Sequence, residues 1–463
     1  MKAVKVIVLV VAGLIALGVL LVVIGVYLTN RHLQSPAFKQ EALNAAREEL
    51  GVDVRIDELH ASLFSGVALR GVTIGSPPNF PGNLVTAEAF VLRYRLLPLL
   101  RQRIEIDELL LDKPVITLAR NDKGEWNYEK IGATKGSEPK PASPAPSTAA
   151  PVKTETPAQA KPETAVPLDV VLSKLAIRQG AVSMISEKNK PLVKLDGINF
   201  SSSVSLMANQ LAGTGKAGID KVSLSDSLFV DNAGALVALG SDQMKLSSLS
   251  GQVADGKISG DVVVKFGTGL EYIVNLQLRG SDVAKLLQQA RTKPVLSGKL
   301  NITTALDGTG GLPTIVGTGR VEIADGKLME IPVLNLLIMI LQIDALRDLA
   351  FTECVVEYSI SNNVMQTPVI RVTSPQVQIT GKGTVSLADD TLNHDMRITF
   401  AKGALDRTPS EIRGLFAEQP DGSLALNFKV TGPYDSPKTD LTKRITQNLG
   451  QQLLEKGLRK LLR

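Results

Sequence analysis

Apolar and polar residues alternate along most of this chain, and this period of two constrains the fold more than any other feature. Short alternating stretches recur between Leu168 and Val430, and the clearest of them is Leu424–Val430, LALNFKV. Successive side chains of a strand point to opposite faces, so each stretch predicts one apolar face and one wet face. Helical spacing is rare by comparison. We therefore expect a mainly β fold with few helices.

The alternation begins near the N-terminus, after one short helix. Ser35 and Pro36 are typical of a helix start, and Gly51 is typical of a residue just past a helix end. Val52–Asp57 and Val67–Ile74 then alternate with a period of two. Residues 31–130 are therefore expected to form a helix followed by a β-sheet region.

A long apolar segment, Val6–Leu28, precedes this region and contains no charged residue. As a helix it would be roughly 35 Å long, enough to cross a hydrocarbon core of about 30 Å. A cleaved signal peptide has an apolar run of about 7–15 residues and a small-residue cleavage site, and neither fits here. A buried core helix is rarely so uniformly apolar. We predict an N-terminal transmembrane helix, with residues 1–30 as the anchor.

Residues 131–167 differ in composition from everything around them. They contain eight of the 24 prolines and almost no large apolar side chain. Such a segment buries too little surface to offset the entropy lost on ordering. We predict a disordered linker rich in Pro and Ala, followed by a β-rich region over residues 168–435.

Four stretches of the second region have local signals of their own. Ala254–Lys257 and Ala324–Lys327 each contain Asp-Gly, which predicts hairpin turns. Ser281–Arg291 is expected to be a helix with Ser281 as its cap. Pro332–Leu349 is expected to be a buried helix, with insertion into a membrane interface as the alternative.

The last segment, residues 436–463, predicts a basic amphipathic helix. Leucines recur at helical spacing, and cations occupy other positions. The helix could pack on its own domain, lie on an anionic lipid surface or pair with a partner. The candidate residues for a membrane surface are Lys443, Arg444, Lys456, Arg459, Lys460 and Arg463.

No group of residues indicates catalysis or a bound metal. None of the three histidines has a partner at metal-ligand spacing, and His394 beside Asp395 is expected to be a solvated turn residue. Gly381–Thr384 lacks the first glycine of a phosphate loop and continues into a strand pattern. The single cysteine, Cys354, excludes an internal disulfide. We expect a protein that is not an enzyme and has no cofactor.

The apolar strand faces are aliphatic, because aromatic residues are only 4% of the chain. Few helices are predicted to cover these faces, and large exposed apolar patches are unusual unless they bind something. We therefore predict a lipid groove on the inward strand faces. Its candidate residues are Val274, Leu276, Leu278, Leu300, Ile302, Val377, Ile379, Met396, Ile398, Phe400, Leu424, Leu426, Phe428 and Val430.

Several motifs together resemble the AsmA family of bacterial envelope proteins, which is related to TamB and to chorein-type bridge-like lipid-transfer proteins. VDVRIDELHASLFSGVALRGVTIG and LLLDKPVITLARNDKGEWNYEKI are similar to the family's N-terminal region. GTGRVEIADGKLMEIPVLNLLIMI and NFKVTGPYDSPKTDL are similar to its C-terminal region. The resemblance implies a single-pass inner-membrane anchor, a large domain in the periplasm and an elongated, curved antiparallel sheet shaped as an apolar groove.

The resemblance also implies a role in phospholipid movement or outer-membrane assembly, and it transfers no catalytic residue. The expected partners are phospholipid or another acyl-chain lipid, the inner membrane and envelope-assembly proteins, and not nucleic acid. The alternative function is a non-catalytic scaffold that recruits envelope-assembly proteins through its sheet edges or its C-terminal helix. A hydrolase of envelope polymers would need an acid/base pair, which the sequence does not suggest.

Overall fold

The structure is a computed structural model that divides into two compact units. The N-terminal unit contains residues up to Leu192 and Ile198–Thr214, and the C-terminal unit contains Val193–Gly197 and the chain from Gly215. The residues described are 36–62, 66–95, 97–98, 103–131, 169–188, 190–267, 269–310, 312–329, 338, 346, 349–406, 408, 410–434, 436–440 and 443.

Strands dominate both units, as the alternation predicts, and helices are few. The elements of the N-terminal unit are α1 (Pro36–Leu50), β1 (Val54–Arg55), β2 (Glu58–Ser62), β3 (Gly66–Gly75), β4 (Asn83–Arg95), β5 (Arg103–Asp112), β6 (Val115–Ala119), a 3-10 helix (Asn127–Lys130) and β7 (Asp169–Ile185). The strands β8 (Pro191–Met207) and β9 (Gln210–Leu224) are divided between the units.

The C-terminal unit continues the series with long strands and short helices. Its elements are β10 (Leu228–Gly240), β11 (Gln243–Val253), β12 (Gly256–Phe266), β13 (Leu270–Asp282), α2 (Val283–Gln289), β14 (Leu296–Thr309), a 3-10 helix (Leu312–Thr314), β15 (Val316–Leu328), β16 (Leu349–Ser361), β17 (Val364–Thr373), β18 (Val377–Ser386), β19 (Thr391–Phe400), α3 (Ser410–Arg413), β20 (Ala417–Glu418), β21 (Leu424–Pro433) and β22 (Lys438–Thr439).

The helix α1 begins and ends where the sequence predicts. Gly51 follows it with φ 68°, and its N–H donates to the carbonyl of Arg47 at 2.8 Å. Glycine takes this left-handed conformation at little cost, so the chain leaves the helix here. Leu43 and Ala46 of α1 are buried against Val54 of β1. The helix is thereby held on the first strand of its unit.

The sheet of the N-terminal unit is mixed, so the expectation of a purely antiparallel sheet is wrong. β3 pairs with β1, β2 and β4, and β4 pairs with β5 and β6, all antiparallel. β7, however, pairs parallel with both β5 and β6. Two parallel strands need a connection of about a dozen residues or more, because the chain must return to the end of the sheet where the first strand began. The segment between β6 and β7 is long enough for this.

In the C-terminal unit the strands β10 to β19 pair antiparallel, each with the next. β21 joins the free edge of β19, and β20 and β22 pair with the other edge of β21. This antiparallel order agrees with the prediction for this part of the chain.

Two local predictions are wrong in detail. Asp282, not Ser281, caps α2, because its carboxylate accepts from the Lys285 N–H at 3.1 Å. Ser281 is fully buried and donates to the Val253 carbonyl at 2.8 Å. Asp325 lies inside β15 with φ 49°, so Ala324–Lys327 is a strand irregularity and not a hairpin.

The predictions for the membrane and linker segments fall mostly outside the described residues. These are the anchor at 1–30, nearly all of the linker at 131–167, most of Pro332–Leu349 and the C-terminal helix beyond 443. Two parts of them are described and differ from the prediction, since Leu349 begins β16 and Lys438–Thr439 form β22. Among the described residues, no helix combines the length and apolarity needed to cross a bilayer.

Candidate functional site

The sheet of the C-terminal unit has one charged face and one apolar face. On the charged face, Arg320 donates to Glu357 at 2.6 Å, and Lys429 forms an ion pair with Asp395 at 3.1 Å. Such pairs are exposed and contribute little to stability. The apolar face is defined by the alternate residues that share the main hydrophobic cluster of the unit.

Most of the fourteen predicted groove residues lie in this cluster and are covered by the chain itself. Phe400 and Ile398 have no exposed surface, and Phe400 packs edge to face on Phe416 with ring centroids 5.5 Å apart. Leu405 and Leu415 complete the cover. The buried candidates are Leu278, Leu300, Val377, Ile379, Ile398, Phe400, Leu426 and Phe428.

The other six candidates remain half-buried. Ile302, Met396, Leu424 and Val430 pack against the edge of the cluster. Val274 and Leu276 lie further along β13, on the same face as the buried Leu278. The apolar face is therefore a closed core at one end of the strands and an accessible surface toward the other end.

The accessible part contains a continuous row of aliphatic side chains across ten strands. Each member is paired in register with the next, from β10 to β19, and a glycine takes the β15 position. All are half-buried except Val237, which is 8% exposed. We call this set the aliphatic row: Val237, Leu246, Val262, Val274, Leu306, Gly317, Ile360, Met365, Val385 and Leu392.

The aliphatic row contains no charged or polar side chain. Neighbouring strands are about 4.8 Å apart, so the row extends about 43 Å along the sheet. Of its members, sequence reasoning had found only Val274 as a site residue. Only the pairing register identifies the other members of the row. Within a single strand, core positions and accessible positions show the same alternation and cannot be told apart.

A second row that contains polar side chains lies next to the aliphatic row. On each strand it is two residues closer to the core. Its polar members are Thr304 of β14, Tyr358 of β16, Thr367 of β17 and His394 of β19. They are separated by glycines on β15 and β18, namely Gly319 and Gly383. We call these four residues the polar row: Thr304, Tyr358, Thr367 and His394.

Hydrogen bonds link the polar row in two pairs, and each pair reaches across a glycine. The Tyr358 hydroxyl donates to Thr304 Oγ1 at 2.9 Å, over Gly319. His394 Nε2 lies 2.8 Å from Thr367 Oγ1, over Gly383. A Cβ at either glycine would collide with the ring lying over it. The glycines therefore allow both rings to lie flat on the sheet.

The prediction that His394 is a solvated turn residue is wrong. It lies in the middle of β19 and is 7% exposed, and Thr367 is 4% exposed. Burial lowers the pKa of His394 below its ordinary value, because a charged imidazole is poorly solvated there. The ring is therefore neutral at neutral pH.

Among the described residues, the cysteine is poorly suited to act as a nucleophile. Burial, together with the neighbouring Glu353, raises the pKa of the Cys354 thiol, which is unfavourable for a nucleophile. In the described ranges, no three His, Cys, Asp or Glu side chains form a group that could hold a metal ion. Of the membrane-surface candidates, only Lys443 lies within these ranges, whereas Arg444, Lys456, Arg459, Lys460 and Arg463 do not.

A comparison with known protein families gives a match. The model of the AsmA family matches residues 1–218, which include the described strands of the N-terminal unit. Neither the curated proteins nor the solved structures give a match to this chain.

Proposed function

The chain belongs to the AsmA family through its residues 1–218, and from this premise we propose that it binds an acyl-chain lipid on the aliphatic row. In this proposal the protein is anchored in the bacterial inner membrane by residues 1–30 and holds its large domain in the periplasm. There it binds or conducts phospholipid and supports lipid homeostasis of the outer membrane. No covalent step is required.

The observation that carries the proposal is the accessibility of a long aliphatic row, in which Gly317 is the one position without a side chain. Core side chains such as Ile398 are covered, whereas nine row positions from β11 to β19 remain half-exposed. Removing apolar surface from water is favourable by about 25 cal/mol per Å², so an acyl chain laid along this row would be stabilised. The row is long enough to contact a whole chain.

The test places a charge on the row and compares it with the same charge on the opposite face. Leu306 and Ala305 are neighbours on β14, but Leu306 belongs to the aliphatic row and Ala305 is exposed on the charged face. The full-length chain is purified in detergent, and the lipids that copurify are quantified by mass spectrometry. We expect Leu306→Asp to lose most of the bound lipid and Ala305→Asp to retain it.

Equal lipid in both variants, or none in the unaltered protein, would contradict lipid binding on this row. The scaffold alternative predicts a different result. Photo-crosslinkers placed between residues 441 and 462 would then give protein adducts, whereas lipid adducts agree with the proposal.

A further inference from the structure

Polar side chains in the middle of an apolar face require an explanation. The polar row lies between the aliphatic row and a second apolar row closer to the core. On β14 this sequence is Leu306, Thr304 and Ile302, and on β16 it is Ile360, Tyr358 and Val356. Residues two apart on one strand are about 6.8 Å apart. A ligand lying on the aliphatic row is therefore within reach of the polar row.

The hydroxyl hydrogens of the polar row are already used in hydrogen bonds within the protein. Tyr358 donates to Thr304, and Thr304 donates to the carbonyl of Thr318 at 3.4 Å. Thr367 donates to the carbonyl of Gly383 at 3.1 Å. The hydrogen bond between Thr367 Oγ1 and His394 Nε2 has a direction that depends on the tautomer of His394. The Tyr358–Thr304 pair therefore has no hydroxyl hydrogen left for a ligand.

What remains on the row is the capacity to accept. A phenolic oxygen that donates one hydrogen bond can still accept another. Tyr358 is partly exposed on this face, so we expect a hydroxyl of a bound chain to reach its oxygen from there.

We propose that the polar row recognises a hydroxyl group on the bound acyl chain, so that the preferred ligand class is a hydroxylated acyl lipid. This inference rests on the proposed function, since it needs an acyl chain on the aliphatic row. A hydroxyl supplies the donor that the Tyr358–Thr304 pair lacks, and the Tyr358 oxygen is the principal acceptor.

Other chain chemistries fit the row less well. An unsubstituted chain forms no hydrogen bond there and leaves the internal pairs intact. A carbonyl group on the acyl chain is also a hydrogen-bond acceptor, so placing it beside the acceptors of the polar row is unfavourable. One net hydrogen bond changes an equilibrium by roughly two- to tenfold. The expected order of affinity is hydroxylated, then unsubstituted, then oxo-substituted chain.

The test measures the displacement of a fluorescent fatty acid from the full-length chain in nanodiscs. The competitors are stearic acid, 12-hydroxystearic acid and 12-oxostearic acid. The unaltered protein should prefer the hydroxy acid over stearic acid by roughly two- to tenfold. Tyr358→Phe keeps the ring over Gly319 but removes the acceptor, and it should abolish the preference.

A matched control and a second variant strengthen the test. Tyr272 lies over Gly308 as Tyr358 lies over Gly319, but on the other side of the aliphatic row. If the polar row binds the hydroxyl, Tyr272→Phe should retain the preference. Thr304→Val releases the Tyr358 hydrogen for a ligand, so this variant should bind the oxo acid more tightly than the unaltered protein does.

The outcomes separate the two proposals. If the unaltered protein binds hydroxy and unsubstituted acids equally, or if Tyr358→Phe retains the preference, the inference is overturned and lipid binding stands. If no fatty acid displaces the probe, the proposed function fails and the inference fails with it.

Discussion

Tyr358 and Thr304 form a hydrogen bond of 2.9 Å although a whole strand lies between them. Strands two apart in a sheet are about 10 Å apart, a distance that only a long side chain lying flat can cover. Gly319 of the intervening strand provides the space. His394 and Thr367 repeat the arrangement over Gly383. A ring that lies over a glycine of the intervening strand thus places polar groups at two positions on one apolar face.

The first prediction concerns this glycine. In Gly319→Ala, the new Cβ would collide with the Tyr358 ring, which must leave the sheet and lose its bond to Thr304. We expect a loss of about 1–3 kcal/mol in the free energy of unfolding, measured by urea denaturation. Gly234→Ala is the control, because the nearest side-chain atom, Ser250 Oγ, is 3.5 Å away. Equal midpoints for the two variants would disprove the steric role.

The second prediction concerns pH and His394. Its pKa in the folded protein lies below the ordinary value of 6.5, so the unfolded chain binds a proton first as the pH falls. The free energy of unfolding should therefore have its full value above about pH 6.5 and should decrease as the pH falls below it. His394→Gln should reduce this decrease, as measured by thermal melts at pH 7.5 and 5.5. His60→Gln, at an exposed histidine, is the control.

The third prediction separates two residues that the sequence assigns to the same groove. Phe428 is 5% exposed within the core cluster, whereas Val274 is half-buried on the aliphatic row. A charge at Phe428 would be buried without a partner, so Phe428→Glu should prevent folding of the C-terminal unit. Val274→Asp should fold. Circular dichroism and soluble yield distinguish these outcomes, and similar damage from both would show that the row is not accessible.

The fourth prediction concerns the cap of α2. Asp282 accepts from the Lys285 N–H, and this hydrogen bond lowers the pKa of the Asp282 carboxyl. Asp282→Ala should cost about 0.5–2 kcal/mol in the free energy of unfolding. Asp282→Asn keeps a side-chain acceptor and should cost less. If the two variants unfold at the same urea concentration, the cap is not stabilising.

Much of the fold follows from local patterns in the sequence. The alternation predicts the strands, and Gly51 predicts the end of α1, because both depend only on neighbouring residues. The two Asp-Gly stretches show the limit of such patterns. Ala254 and Asp255 form a hairpin turn, whereas Asp325 lies inside β15. Only the pairing partners of each strand distinguish the two cases.

The site depends more strongly on distant pairing, so less of it could be predicted. Alternation identifies Phe400 and Val274 equally as apolar-face residues, but only the cover by Phe416 makes the first a core residue. His394 is predicted to be a turn residue because Asp395 follows it, and nothing local indicates its bond to Thr367, 27 residues away in the chain. The aliphatic row is likewise a property of register across ten strands.

The parallel pairing of β7 with β5 and β6 holds together parts of the chain that lie on either side of a long connecting segment. Its ladder joins Ile104 to Val170 and Leu118 to Met184, and Lys174 forms an ion pair with Glu108 at 2.8 Å. A single peptide-bond cleavage between Arg120 and Leu168 would therefore yield two fragments that remain associated. They would elute together under native conditions and separate only in denaturant. The sheet, rather than the intervening peptide, joins the two parts of the unit.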